Sequence, residues 1–356
     1  MEAFPDFNLI TEADDLPPFL AASVSDEEKK LICELKKNGL PFAVTPHFAS
    51  LMKIARGDPL RRQFIPDPLE AKNDLFALDD PLGEWRFRIT PRFVHQYRDR
   101  ALLLAGGTCA GFCRFCFRRV RMSSAAAFIS AEELEPVLAY ISSRPEIREV
   151  LVSGGDPLTA GNAALEELFG KLRIASPSIH IRLCSRVFIT CPARIDADTV
   201  VLLSAFKPLR IVTHINHPRE LTPESRKALA SAAEAGIPVL VQTVLLRGVN
   251  DSAETLAALF RECREIGLSP YYLFQSDLAP GAAHFRVPLK KGLSIYSELG
   301  RLVPGPGLPV YAVDLPGGGG KIRLCEDSIA GEEDRPGGRV YLLKDPAGKL
   351  WEYPFY

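Results

Sequence analysis

The chain has 356 residues, 47% of them apolar and 24% charged, with a formal net charge of −1. This is the composition of a globular protein with room for one large domain or two ordinary ones, and no global basic field points to nucleic acid. The longest apolar runs, such as Ala101 to Ala105 and Val239 to Leu246, are too short to span a bilayer, and the acidic start Met1-Glu2-Ala3-Phe4-Pro5-Asp6 has no signal-peptide core, so a cytoplasmic protein without a membrane partner is expected.

Residues 1–95 read as an N-terminal helical region. Ser25-Asp26-Glu27-Glu28 opens a helix, with a polar cap, acids in the first turn and Glu28 placed to bond back to the cap. Proline and aspartate recur from Asp58 to Leu82, which predicts irregular chain. From Ala101 the rhythm changes. Strands are expected at Ala101–Ala105, Glu149–Ser153, Ile179–Cys184, Arg210–His214, Val239–Leu245 and Tyr271–Gln275. The helices between them open on caps: Ser130-Ala131-Glu132-Glu133 fits a capping box, and Thr222-Pro223 puts proline at the first helical position. Strands alternating with helices imply βαβ units and a parallel sheet. Six units are too few for a closed eight-stranded barrel, which leaves an open, partial (βα)6 barrel or a doubly wound sheet. The α/β partial barrel is expected over 96–305, followed by a C-terminal segment, 306–356. That segment ends in a β-hairpin of Arg339 to Leu343 and Lys349 to Tyr353 around the turn Lys344-Asp345-Pro346-Ala347-Gly348.

Of eight cysteines, Cys33, Cys184, Cys191, Cys263 and Cys325 stand singly and read as small buried hydrophobes. In a reducing compartment disulfides are not expected. The other three lie in Gly107-Thr108-Cys109-Ala110-Gly111-Phe112-Cys113-Arg114-Phe115-Cys116-Phe117-Arg118-Arg119, a C-x3-C-x2-C spacing directly after the first barrel strand. Soft thiolates this close select an iron–sulfur cluster, zinc or Cu(I). Structural zinc needs a fourth Cys or His, usually in a second close pair, and none is nearby in the sequence. Three ligands on four irons leave one iron open, which S-adenosylmethionine (SAM) can chelate through its amino and carboxylate groups. The spacing and its position resemble the radical SAM superfamily.

A second constellation is Val313-Asp314-Leu315-Pro316-Gly317-Gly318-Gly319-Gly320-Lys321. Four glycines let backbone approach a ligand closely. The order is not that of a P-loop, since Ile322 follows the lysine. Alone, the stretch reads as a surface loop with a solvated lysine; beside a radical SAM signature, the lysine becomes a candidate covalent anchor for pyridoxal phosphate (PLP).

With both constellations in view the chain resembles the lysine 2,3-aminomutase family, from about Leu40 to Lys321. The matching motifs are Leu40-Pro41-Phe42-Ala43-Val44-Thr45-Pro46, Tyr97-Arg98-Asp99-Arg100, Leu151-Val152-Ser153-Gly154-Gly155-Asp156-Pro157-Leu158, Thr213-His214-Ile215-Asn216-His217-Pro218, Gln242-Thr243-Val244-Leu245-Leu246-Arg247-Gly248, Tyr271-Tyr272-Leu273-Phe274-Gln275-Ser276-Asp277-Leu278 and the glycine–lysine stretch. The resemblance implies that Cys109, Cys113 and Cys116 hold a [4Fe–4S] cluster. It implies that Ser153, Gly154, Gly155 and Asp156 position the methionyl amino group of SAM, with Ser185, Arg186 and His214 as further SAM contacts. Lys321 would anchor PLP, with Arg100 and Gln242 on its phosphate; the family often has a second arginine where this chain has Gln96. Arg118 would grip the substrate carboxylate through its planar fork. Asp277 and Asp314 match the pair that receives a substrate ε-ammonium. Two carboxylates at one point repel each other unless a cation joins them, and relatives acting on glutamate lack the pair, so lysine is the expected substrate.

The implied reaction moves the α-amino group of lysine from C2 to C3 to give β-lysine. A hydrogen-abstracting radical derived from SAM acts at C3, and a reducing partner such as flavodoxin or ferredoxin supplies the electron. Other readings are (R)-β-lysine formation for elongation factor P, a mutase for arginine or glutamate, a radical SAM protein without PLP, and a non-catalytic metal-binding module. Some relatives carry a C-terminal zinc site and a cysteine where this chain has Ser252. With Cys325 the only cysteine after Lys321, no such zinc is expected, and a homodimer is the working expectation.

Overall fold

The computed structural model describes residues 7–37, 42–118 and 128–355. Residues 1–6, Leu40, Pro41 and Arg119 of the segments discussed above lie outside them. The main sheet runs in chain order: β1 (Arg88–Thr90), β2 (Phe93–Tyr97), β3 (Arg100–Gly106), β4 (Glu149–Gly154), β5 (His180–Cys184), β6 (Leu209–His214), β7 (Val239–Leu245), β8 (Ser269–Gln275), β9 (Val310–Leu315) and β10 (Gly320–Arg323). The run from β3 to β9 is parallel throughout. The flanking pairs β1–β2, β2–β3 and β9–β10 are antiparallel. Each of the six expected strands is present. The sheet also extends past both expected limits, because β1 and most of β2 precede residue 96 and β9–β10 follow residue 305.

The longer helices open on side-chain caps, except those that begin at Asn162 and Leu289. They are α1 (Asp26–Lys37) in the N-terminal region, then α2 (Ala131–Ser142), α3 (Asn162–Ala175), α4 (Ala197–Ala205), α5 (Pro223–Glu234), α6 (Ala253–Glu265) and α7 (Leu289–Leu302). Ser25 and Glu28 exchange bonds at the start of α1, Ser130 and Glu133 do the same at α2, and Thr222 accepts from the Ser225 amide at α5. Ser252 is the cap of α6, accepting from the Thr255 amide. Apolar residues from the strands (Leu103, Val150, Ile181, Ile211, Val241) and from the helices (Val137, Leu168, Leu229, Leu256) belong to one continuous buried core. Each such side chain contributes roughly 1.5–3 kcal/mol on burial.

The C-terminal hairpin is present as β12 (Gly338–Lys344) and β13 (Leu350–Pro354), and a third strand, β11 (Ile329–Arg335), pairs with β12. This strand is missed in the sequence because Glu332-Glu333-Asp334 dilutes its β signal; its burial is slight throughout. The single cysteines do not all behave as buried hydrophobes: Cys263 is buried, Cys184 and Cys191 are half-buried, and Cys33 and Cys325 are exposed. Among the described residues no helix is long and apolar enough to cross a membrane.

Candidate active site

The two faces of the barrel strands are unequally covered. Ala101, Leu103, Val150, Val152, Ile181 and Leu183 are buried, whereas the alternate residues Arg100, Leu102, Leu104, Glu149, Leu151, Ser153, Arg182 and Cys184 are half-buried. Side chains alternate along a strand, so the first set faces the shared core and the second lines a hollow. On β6 to β8, His214, Gln242 and Tyr272 occupy one register row, and all three are half-buried.

The cysteine loop leaves the C-terminal end of β3. Its course is set by backbone contacts with the turn after β4: the Gly155 amide donates to Gly106 O at 2.7 Å and the Asp156 amide to Thr108 O at 2.7 Å. Neither glycine of that turn tolerates a side chain. A Cβ on Gly155 would lie 2.1 Å from Thr108 O, and Gly154 has φ of 119° with its Cβ position 2.4 Å from Gly106 O. From the other side the N-terminal region pins the loop, through Phe112 N to Ala43 O and Arg114 N to Gln63 O, both 2.8 Å, and through the buried Arg114–Glu70 ion pair at 2.6 Å.

Cys109, Cys113 and Cys116 are half-buried on this loop. Burial, then the Asp156 carboxylate and the other two cysteines, push the Cys109 thiol well above its usual range. Soft metal ions would supply the positive charge that neighbouring thiolates require. Among the described residues no three His, Cys, Asp or Glu side chains converge as ligands of one ion would.

Arg186 and His214 stand beside the triplet in a buried polar network. Arg186 Nη1 donates to Cys113 Sγ at 2.7 Å, and Nη2 donates to Gln63 Oε1 at 2.6 Å and Glu220 Oε2 at 3.0 Å. The guanidinium lies over the rings of Phe48, Phe64 and Phe115. Asn216 donates to Gln63 Oε1 at 3.0 Å and accepts from the Val244 amide at 3.0 Å, so its Oδ1 faces His214 Nε2 at 2.9 Å. Burial and then the Arg186 charge hold His214 down to about 3, which leaves it neutral with the proton on Nε2. Asp156 is committed to structure, since its carboxylate accepts from the amides of Leu158, Arg186 and Val187 at 3.0, 2.6 and 3.2 Å. Ser185 bonds to it as well. Sequence reasoning missed Gln63, Glu220 and Asn216. Asn216 stands inside a quoted motif, while nothing local marks Gln63 or Glu220.

Lys321 opens the other side of the hollow. It lies on β10, opposite Asp314 on β9, and its Nζ is 2.6 Å from Asp314 Oδ2 and 4.0 Å from the centre of the Phe274 ring. The Lys321 amide donates to the Tyr97 hydroxyl at 3.1 Å, and Gln96 Nε2 donates to Gly318 O at 3.3 Å. These bonds bring the two edges of the open sheet together. Arg100 stacks on the same Tyr97 ring at 4.0 Å and pairs with Asp99 at 2.8 Å. It begins β3, at the opposite end of that strand from the cysteines. The strand β9 that carries Asp314 was not among the expected strands.

Asp277 follows β8 and links the two sides. Burial pushes its carboxyl up to about 7, the Asp314 charge adds to the rise, and Lys321 and then Arg118 oppose it. Glu84 adds a smaller upward push. Arg118 donates through Nη2 to Glu84, a buried carboxylate that the sequence did not single out.

A parallel βα sheet with three cysteines at the end of its first barrel strand defines a radical SAM enzyme, and the Radical SAM superfamily model matches residues 103–260. A Treponema pallidum protein provisionally named L-lysine 2,3-aminomutase is 41% identical over 88% of this chain and 89% of its own length. The L-lysine 2,3-aminomutase of Clostridium subterminale is 36% identical over 90% of this chain and 77% of its own length. The glutamate 2,3-aminomutase of Clostridioides difficile is 33% identical over 96% and 80%. The chain belongs to the lysine 2,3-aminomutase family, whose members are isomerases that use a [4Fe–4S] cluster and SAM, with PLP as the further cofactor.

Proposed function

We propose that this enzyme moves the α-amino group of L-lysine from C2 to C3. The observation that carries the substrate is the environment of Asp277. A half-buried carboxyl that feels the charge of a second carboxylate, Asp314, makes a place that an ammonium group neutralises and a substrate carboxylate does not. A glutamate side chain would put a third negative charge there. Arg118, whose charge reaches Asp277 from the cysteine side, supplies the matching cation for the α-carboxylate.

In this reading Cys109, Cys113 and Cys116 would hold the cluster. The turn Ser153-Gly154-Gly155, with Ser185, Arg186 and neutral His214, would hold SAM. Lys321 would hold PLP, with Arg100 and Gln242 on its phosphate. When bound, these groups supply one-electron reduction, hydrogen transfer at an unactivated carbon, and a conjugated system that spreads an unpaired electron. The protein's own share is positioning. Asp156 ties the SAM turn to the strand end of Ser185 and Arg186. Arg186 puts a charge-assisted donor on Cys113. Asp314, which pairs with the Lys321 amine in the cofactor-free chain, is the carboxylate that an incoming ammonium would meet once that amine holds PLP. Phe115, Phe274 and Phe285 provide apolar surface near these groups and limit water.

The test is an anaerobic assay of the reduced, reconstituted enzyme with L-lysine, L-arginine and L-glutamate, joined to borohydride reduction and mass mapping. Turnover of lysine and a pyridoxyl label on Lys321 are expected. Turnover of glutamate alone, or a label elsewhere, overturns the reading.

A further inference from the structure

The site assembled above must keep a cation and a pair of carboxylates apart inside one hollow. Arg118 is within electrostatic reach of Asp277, and a direct contact between them would consume both ends of the substrate site. Glu84 is placed to prevent this. Its carboxylate, on a residue only 4% exposed, accepts from Arg118 Nη2. Arg118 Nε is buried and has no hydrogen-bond partner among the described residues.

Glu84 is itself held rigidly. The Asp80 carboxylate accepts from the amides of Glu84 and Trp85 at 3.1 and 2.8 Å. The chain before it is strapped across the site: Asp74 pairs with Arg286 at 2.6 Å, the Leu78 amide donates to Leu278 O at 2.8 Å, and Pro81 O accepts from the Gly317 amide at 3.3 Å. Gly83, with φ of 65°, packs so tightly on the glycine loop that a Cβ would lie 2.3 Å from Gly318 N. The strap thus touches the segment of Asp277 and the loop of Lys321 while presenting Glu84 to Arg118.

We propose that Glu84 is a positioning residue for carboxylate recognition: it holds Arg118 by Nη2, away from Asp277, and leaves Nε–H to the α-carboxylate of the amino-acid substrate. The inference rests on the assignment of Arg118 and Asp277 to opposite ends of lysine. Without the Glu84 charge, the Arg118 fork loses the carboxylate that fixes its Nη2 and turns from the position where a substrate carboxylate meets it.

The test titrates the pyridoxal absorbance of holoenzyme, without SAM, with L-lysine and with 1,5-diaminopentane, which has both amines and no carboxylate. Wild type prefers L-lysine. In E84Q that preference falls at least tenfold while diaminopentane binding changes much less; E84D, which keeps the charge one methylene further back, is intermediate. Equal losses for both ligands assign Glu84 to folding alone, and an unchanged preference removes it from recognition; either overturns the proposal. Should E84Q not fold, E84D decides, because a preference unchanged within about twofold overturns it equally. If wild type itself shows no preference for L-lysine, the underlying assignment of Arg118 fails instead.

Discussion

At the scale of single residues, charge burial governs this site. Asp277 has its folded-state carboxyl raised to about 7 by burial and by Asp314, against about 4 in an unfolded chain. A raised carboxyl favours the folded state while protonated, so its contribution is present below about pH 4 and is lost as pH rises from there through about 7. Ligand-free wild type should therefore lose stability relative to D277N between pH 5 and pH 8, as read from paired thermal melts; parallel curves would refute the raised carboxyl. Substrate binding has the opposite sign. The ionised form attracts the ammonium group, so L-lysine should bind more tightly at pH 8 than at pH 6 in wild type, and D277N should flatten that dependence.

At the scale of elements, the parts legible in the sequence are those with a local cause. Caps at Ser25, Ser130 and Thr222 each start a helix, and alternating apolar runs mark the strands from β3 to β8. The cysteine spacing and the glycine run point to the site without any structure. Glu84, Gln63 and Glu220 were not legible, because their importance lies in partners far along the chain, such as Gln63 with Glu220. Nor were β9 and β11, the one set between Pro309 and Pro316 and the other polar. The turn after β4 makes a sharp demand on its backbone. Gly155→Ala would place its Cβ 2.1 Å from Thr108 O, while Gly170, on α3, has nothing within 4 Å. G155A should distort the cysteine loop and lose most of the iron that reconstituted wild type holds. G170A should keep its iron and gain about 1 kcal/mol from helix propensity. Iron content and urea unfolding measure the two; full iron loading of G155A would show that the turn does not set the loop.

At the scale of the whole molecule, the hollow is completed by segments from both ends of the chain. The N-terminal region pins the cysteine loop and the strap covers the glycine loop from one side. The C-terminal sheet backs it from the other: Trp351 on β13 lies so close to Gly319 that a Cβ there would be 2.8 Å from the indole, and the Tyr353 hydroxyl donates to Ser276 O at 2.9 Å, beside Asp277. This antiparallel sheet thus contacts both the lysine loop and the acid that faces it. Trp351 also donates to Asp345 at 2.9 Å, which fixes its ring against the turn of its own hairpin. Trp351→Ala removes the surface that holds Gly319 and leaves a void beside that loop, at a cost of up to about 3 kcal/mol for this half-buried ring. The loss should fall on the loop more than on the barrel. W351A should therefore retain its iron while its pyridoxal content after gel filtration drops several-fold, and proteolysis should begin within the glycine run. Equal loss of iron and pyridoxal would mean that the sheet supports the fold as a whole and not the lysine loop in particular.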